Sequence, residues 1–253
     1  MLQRIIVCAA IVAGYAGIAQ ATPQDDITAA LQKLADSPNY SWKTSVDGGF
    51  GAGATEGKTQ KDGLTTLSIT RQDNTYDAVI QGDKAAVKIA DAWKSAADLA
   101  AAAGGAGGGG NGGGQTPERF LARMIQTFKT PVDLALPTVS TLQNVQKTDD
   151  AYTADLTEDA AKQLLARPRR ANAGGNAPPA PDISNAKATV KVWIADGAVT
   201  KMESHVTGTV SFNGNDRDID RTTTTEFKDV GTTTITVPDE AKAILAAPPA
   251  TQP

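Results

Sequence analysis

The rhythm of hydrophobic and polar positions changes several times along this chain, and each rhythm predicts an element. Residues 5–19 form an apolar run behind Arg4 and close on Ala19-Gln20-Ala21. Ile27, Leu31 and Leu34 then recur at helical spacing, with Asp25 and Asp26 at the start and Ser37-Pro38 as a stop, which predicts a short amphipathic helix. From there the period shortens to two. Residues 40–46, 64–71, 74–81 and 86–89 read as strands, the second with Leu67 and Ile69 on one of its faces and the third with Tyr76, Ala78 and Ile80 on one of its own. The Gly, Asn and Asp residues between them leave no room for crossover helices, so the strands should pair as antiparallel hairpins.

The alternation stops at Ala96. Alanines lead into residues 104–114, almost all glycine, and this stretch ends in Gly-Gln-Thr-Pro rather than the Gly-Lys-Ser/Thr that a phosphate-cradling loop requires. It reads as a flexible loop spanning about residues 100–115. A helix follows over residues 116–128, with Thr116 as N-cap, Pro117 in the first position and Phe120, Leu121, Met124, Ile125 and Phe128 as an apolar stripe. Periodicity leaves open whether that stripe is core or cavity wall. Pro131 should end it, and residues 134–142 are interrupted by proline. Residues 144–147 and 151–156 form a predicted hairpin around Asp149-Asp150, and residues 157–165 a short capped helix. Residues 167–181 hold Arg167-Pro168-Arg169-Arg170, glycines and four prolines, which predicts a second flexible excursion over about 167–182.

The last third has the clearest alternation. Val190, Val192 and Ile194 lead to an Asp196-Gly197 turn, residues 199–212 resume the period, and residues 218–227 follow the Asn213-Gly214 turn. A final strand is expected over residues 232–237, before Pro238, then a helix over 240–246 and a frayed tail over 248–253. The whole is an antiparallel meander, apolar on one face and rich in threonine, lysine and aspartate on the other.

Composition narrows the chemistry. The apolar run at residues 5–19 is shorter than the ~20 residues a bilayer-spanning helix needs, and small residues precede the cleavage point, so residues 1–21 read as a secretory signal. The single cysteine, Cys8, lies inside that run and not at its end, where a lipid-acceptor cysteine would stand. The expected product starts at Thr22, is periplasmic or secreted, has no lipid anchor and no stable membrane insertion, and folds as one domain over residues 22–247 without disulfides. A formal net charge of −4 with interspersed signs excludes a basic stripe for nucleic acid.

Catalytic patterns do not assemble, so no enzyme, cofactor or metal is expected. The one histidine, His205, sits mid-strand on the face opposite Val206, and a single histidine cannot build a His-rich zinc site. Gly-x-Ser-x-Gly and Ser-x-x-Lys nucleophile patterns are missing from the sequence. Asp216, Asp218 and Asp220 have calcium-loop spacing, but the loop glycine is missing and Phe227 stands where the bidentate glutamate belongs. A polar strand face with cross-strand pairs accounts for them.

Three phrases carry a resemblance: Trp193-Ile-Ala-Asp-Gly197, Tyr152-Thr-Ala-Asp-Leu-Thr-Glu-Asp-Ala-Ala-Lys162, and the closing Thr225-Glu-Phe-Lys-Asp-Val-Gly-Thr-Thr-Thr-Ile-Thr-Val-Pro238. With the order of elements, they resemble the bacterial LolA-like and LppX-like lipoprotein carriers. The resemblance implies an α+β fold in which a strongly curved antiparallel sheet, an incomplete β-barrel, is covered by helices over an apolar cavity. The glycine loop and the proline-rich loop are insertions relative to that pattern, and LppX-type members are usually lipidated.

Two functions follow. One is an exported binding or carrier protein for a lipid, lipoprotein or other apolar ligand, with Trp42, Trp93, Phe120, Leu121, Met124 and Phe128 lining the cavity. The other is a structural or protein-interaction domain of the cell envelope, in which the same side chains pack a dry core. Ligand identity and protein partner are left open by both.

Overall fold

Two antiparallel meanders join through the first and last strands of the chain to make one sheet. In this computed structural model, residues 21–49, 53–71, 74–105, 116–148, 150–166, 181–212 and 214–247 are described. The first meander comprises β1 (Asn39–Gly48), β2 (Gly53–Gln60), β3 (Thr65–Arg71), β4 (Asn74–Gln81), β5 (Lys84–Ile89) and β6 (Ala92–Ser95). The second comprises β7 (Leu142–Lys147), β8 (Tyr152–Leu156), β9 (Asp182–Ala195), β10 (Ala198–Phe212) and β11 (Asn215–Lys228). Pairing of β1 with β11 gives the order β6-β5-β4-β3-β2-β1-β11-β10-β9-β8-β7, antiparallel at every step. Register shifts in the β9–β10 and β7–β8 ladders add local twist to an open, curved sheet.

The helices are α1 (Pro23–Ala35), α2 (Ala96–Gly105), α3 (Pro117–Gln126), α4 (Pro131–Thr138), α5 (Glu158–Leu165) and α6 (Asp239–Ala246). The chain from α2 to α4 connects the two sheet edges, β6 and β7, and its apolar residues pack on one face, here the inner face. Ile27, Leu31 and Leu34 of α1, Leu99 of α2, Leu121 of α3 and Val132 of α4 join Tyr40, Trp42, Leu67, Val192 and Phe227 of the sheet in one cluster. That a single cluster draws on strands of both meanders is the packing consequence of the curvature. α5 covers the far end of the same face, where Leu165 and Ala161 meet Val206, Val210 and Ile219. On the outer face, α6 sets Ala241 and Leu245 against Val79 and Ala86. The α+β class and the covered, curved antiparallel sheet match the sequence reading.

Several local expectations differ from the structure. Residues 232–237 are not a strand: β1 is already paired on both sides, so the segment lacks an edge to join and is held singly, with Gly231 N–H donating to Asn39 O and Thr233 N–H to Asn39 Oδ1. The loop expected from about residue 100 is helical through Gly105, since alanine is the best helix former and Ser95 caps the helix through Asp98 N–H. Pro131 opens α4 instead of only ending α3, with Thr130 as its N-cap, and residues 134–138 are helical. β2 lies in a stretch where the pattern predicted nothing. Residues 1–20 of the signal expected over 1–21, 106–115 of the glycine loop, 167–180 of the excursion expected over about 167–182, and the tail at 248–253 lie outside the described residues.

Candidate functional site

The inner face of β1 carries Tyr40, Trp42, Thr44 and Val46 in strict alternation, so one strand sets an aromatic end and a small, hydroxyl-bearing end. Trp42 lies flat over Gly57 on β2, so close that a Cβ there would sit 2.2 Å from the indole ring. Tyr40 meets Trp42 at 5.8 Å and the edge of Phe227 at 5.9 Å between ring centroids. Phe128, just past the end of α3, stacks on the other side of Trp42 at 6.4 Å and 22°.

Beside this cluster, a cavity of about 350 Å³ opens between β1–β4 and the connection from Phe128 to Asp133. Phe128, Val132 and Ile80 form its apolar walls, the Tyr40 ring closes one side, and Lys61 and Lys129 stand at its polar part. Thr59 and Thr65 satisfy each other at 2.8 Å, which removes two hydroxyls from competition for a guest. Burial pushes the Tyr40 phenol up to about 12, the nearby Asp133 charge adds to the shift, and Thr130 opposes it. Tyr40 therefore stays a neutral phenol, able to donate, across the physiological range.

Further along the same face the cover thins. Thr44 and Val46 of β1, Thr55 of β2, Thr223 of β11 and Ser204 and Met202 of β10 face inward yet stay partly exposed, whereas Trp42, Phe227, Val206 and Ile219 on either side are buried. This strip ends at Arg221, opposite Gly48. The guanidinium is half-buried, its Nη2 donates to Leu164 O at 2.6 Å at the C-terminal end of α5, and its Nε is buried without a partner. Burial pushes its pKa down, with no coulombic contribution from a carboxylate.

The six residues expected around a cavity divide into three groups. Trp42 and Leu121 are buried, Leu121 completely. Phe120, Met124 and Phe128 pack against the same cluster while partly exposed, with Arg71 lying over the Phe120 ring at 4.8 Å. Trp93 is not with them: it packs on the outer face with Val79, Ala86 and Leu245, because its place in β6, opposite Lys88, turns the ring away from the inner cluster. There it borders an outer groove of about 560 Å³ beside Thr236 and Pro238. Tyr40 was recoverable from the sequence, two residues before Trp42 on the same face. Arg221 was not, because on a strand of aspartates and threonines its side chain reads as one more surface charge.

His205 is exposed on the outer face and bonded to Asp220 at 2.8 Å, while Thr209 donates to Asp218 at 2.8 Å and Ser211 to Asp216. Among the described residues no three His, Cys, Asp or Glu side chains cluster as metal ligands, and no helix is long and apolar enough to cross a membrane.

No protein-family model and no curated protein matches this sequence. Among solved structures, the chain is similar to Mycobacterium tuberculosis lipoprotein LppX, at 12% identity and a TM-score of 0.46 over 84% of this chain and 97% of that one. It is also similar to LprF from Mycobacterium bovis, at 8% identity and a TM-score of 0.44 over 87% of this chain and 97% of that one. LppX, whose group the sequence phrases resemble, is thus among its structural neighbours.

Proposed function

We propose that the protein is an exported, non-enzymatic binding or carrier protein that takes a lipid, a lipoprotein acyl group or another apolar ligand between the curved sheet and helices α3 and α4. The observation that carries this reading is the cavity of about 350 Å³ against Phe128, Val132 and Tyr40. Its size falls at the lower end of the ~300–1,000 Å³ of small-molecule sites, and its lining joins an apolar patch at Ile80, Phe128 and Val132 to a larger polar part that includes Lys61 and Lys129, which suits a ligand with an apolar body and a polar end. Phe120, Met124 and Phe128 stay partly exposed while touching the core, so the α3 side can admit a guest without first dismantling the sheet. Export is supported by the apolar run and small-residue cleavage point at residues 1–21. The full burial of Leu121 and Trp42 favours the second reading, a structural or interaction domain with a packed core.

Titration with a fluorescent fatty acid separates the two. Saturable micromolar binding is expected, and its absence would overturn the carrier reading in favour of the interaction domain. Met124→Asp should abolish uptake with the far-UV circular dichroism of the sheet intact. Leu121→Asp, by contrast, places a carboxylate in a fully buried position and should prevent folding.

A further inference from the structure

Arg221 breaks the pattern of its own strand. Ile219, Arg221, Thr223, Thr225 and Phe227 share the inner face of β11, and the cation stands between a buried isoleucine and a row of threonines. Its stem runs over Gly49, whose Cβ position is 3.3 Å from Arg221 Cβ and Cδ, and the positive φ of +65° there suits glycine. The chain thus makes room for this side chain. One donor is used on the Leu164 carbonyl, a position where a cation complements the end of α5. That bond leaves the rest of the fork unexplained: Nε has no acceptor, and among the described residues no carboxylate pairs with the guanidinium. A partly desolvated guanidinium normally has an anion beside it, because an unpaired charge taken from water is costly.

The strip that leads away from Arg221 has the matching shape for the rest of such a ligand. From Gly48 to Trp42 it follows β1 for six residues, about 20 Å at the ~3.4 Å rise of a strand. It is floored by Thr44, Val46, Thr55 and Thr223, and two of its threonines, Thr44 and Thr225, turn their hydroxyls to each other at 2.9 Å and so present methyl groups. At the far end stand Met124, Phe128 and Trp42. That length exceeds one acyl leaflet, about 15 Å or half of the ~30 Å hydrocarbon core of a bilayer, so an extended long chain fits along it.

We propose that the inner face binds a long-chain carboxylate lengthwise, with the anionic head on Arg221 and the chain along β1 toward Phe128. This inference rests on the carrier reading and extends the ligand from the Phe128 side of the cavity along β1 to Arg221, which gives it a head-group polarity. A planar carboxylate suits the guanidinium fork better than a neutral hydroxyl does.

The test compares a fluorescent long-chain fatty acid with the alcohol of the same chain length and fluorophore, at pH 8, on the full exported protein and on Arg221→Gln and Arg221→Lys. The wild type should bind the acid about tenfold or more tighter than the alcohol, as a charge-assisted hydrogen bond implies. Arg221→Gln should lose that preference with alcohol affinity unchanged within about twofold, and Arg221→Lys, which keeps charge without the fork, should recover part of it. If Arg221 serves only to cap α5, Arg221→Gln lowers the unfolding midpoint and leaves the acid-to-alcohol ratio untouched, which overturns this inference alone. Equal binding of both probes by the wild type does the same. Binding of neither probe overturns the carrier reading as well.

Discussion

At the scale of single residues, the inner face is organised by pairs in which a large ring is fitted to a missing side chain. Trp42 occupies the space over Gly57, and alanine there would bring a methyl group into the indole at 2.2 Å. Since neither the ring nor β2 can move without disturbing Phe128 and Tyr40, Gly57→Ala should destabilise the protein by about 1–3 kcal/mol, the usual range for overpacking a filled core. Urea titration reads this directly, and an unchanged midpoint would show that Trp42 is free to turn. Tyr40 supplies a second test, through pH. Its folded pKa is raised above the unfolded value near 10 to about 12, so the folded state holds the proton more tightly. The stabilisation from keeping this phenol neutral is complete below pH 10 and is lost as pH rises from 10 through 12. Tyr40→Phe should flatten that decline, and ultraviolet titration of the wild type should show one tyrosine ionising last.

At the scale of elements, legibility followed side-chain size. Alternation exposed β1, β3, β4, β5 and the β9–β11 meander, the Ile27, Leu31 and Leu34 spacing exposed α1, and capping residues exposed α3 and α5: Thr116 accepts from Arg119 N–H, and Thr157 accepts from Ala160 N–H. β2 was illegible for a physical reason. Its inward positions are Gly53, Thr55, Gly57 and Thr59, small because Trp42 and the cavity fill the space above them, so no hydrophobic period survives. α2 was hidden by alanine and glycine, which carry no stripe, and the segment after Gly231 read as a strand because threonine and isoleucine alternate there, although β1, to which it is tied, is already paired on both sides. The candidate site was half legible: the α3 stripe and Trp42 were visible, but which face Trp93 would take depended on pairing of β5 with β6, a register no local pattern specifies. α6 shows how a weakly tethered element is kept. Only Ala241 and Leu245 are buried, and Lys84 Nζ donates to Leu245 O at 2.8 Å and to Ala247 O at 2.7 Å. Leu245→Ala should cost about 2 kcal/mol. Hydrogen exchange should show the loss concentrated in α6 with β1 and β11 still protected, and uniform loss would mean that α6 belongs to the main cooperative unit.

At the scale of the whole molecule, the decisive feature is the seam between β1 and β11. Trp42 pairs with Phe227 and Val46 with Thr223, contacts separated by most of the chain, and they join two meanders that are otherwise local. Such pairings are slow to form because loop closure must precede them. The seam also lies under the inner cluster, where α1 and α3 cover residues from both meanders at once, so neither meander alone can bury its apolar face. We therefore propose that residues 22–247 fold as one cooperative domain. A chain ending at Gly214, which keeps β1–β10 and loses β11, should fail to fold, giving no near-UV circular dichroism and rapid proteolysis. In the full chain with Trp93 and Trp193 replaced by phenylalanine, Trp42 fluorescence at the seam and far-UV circular dichroism should lose structure at the same urea concentration, since coincident probes mark a single transition. Separated midpoints, or a truncated chain that keeps a protected β1–β6 meander, would show instead that the first meander is a domain in its own right and that the seam only docks it.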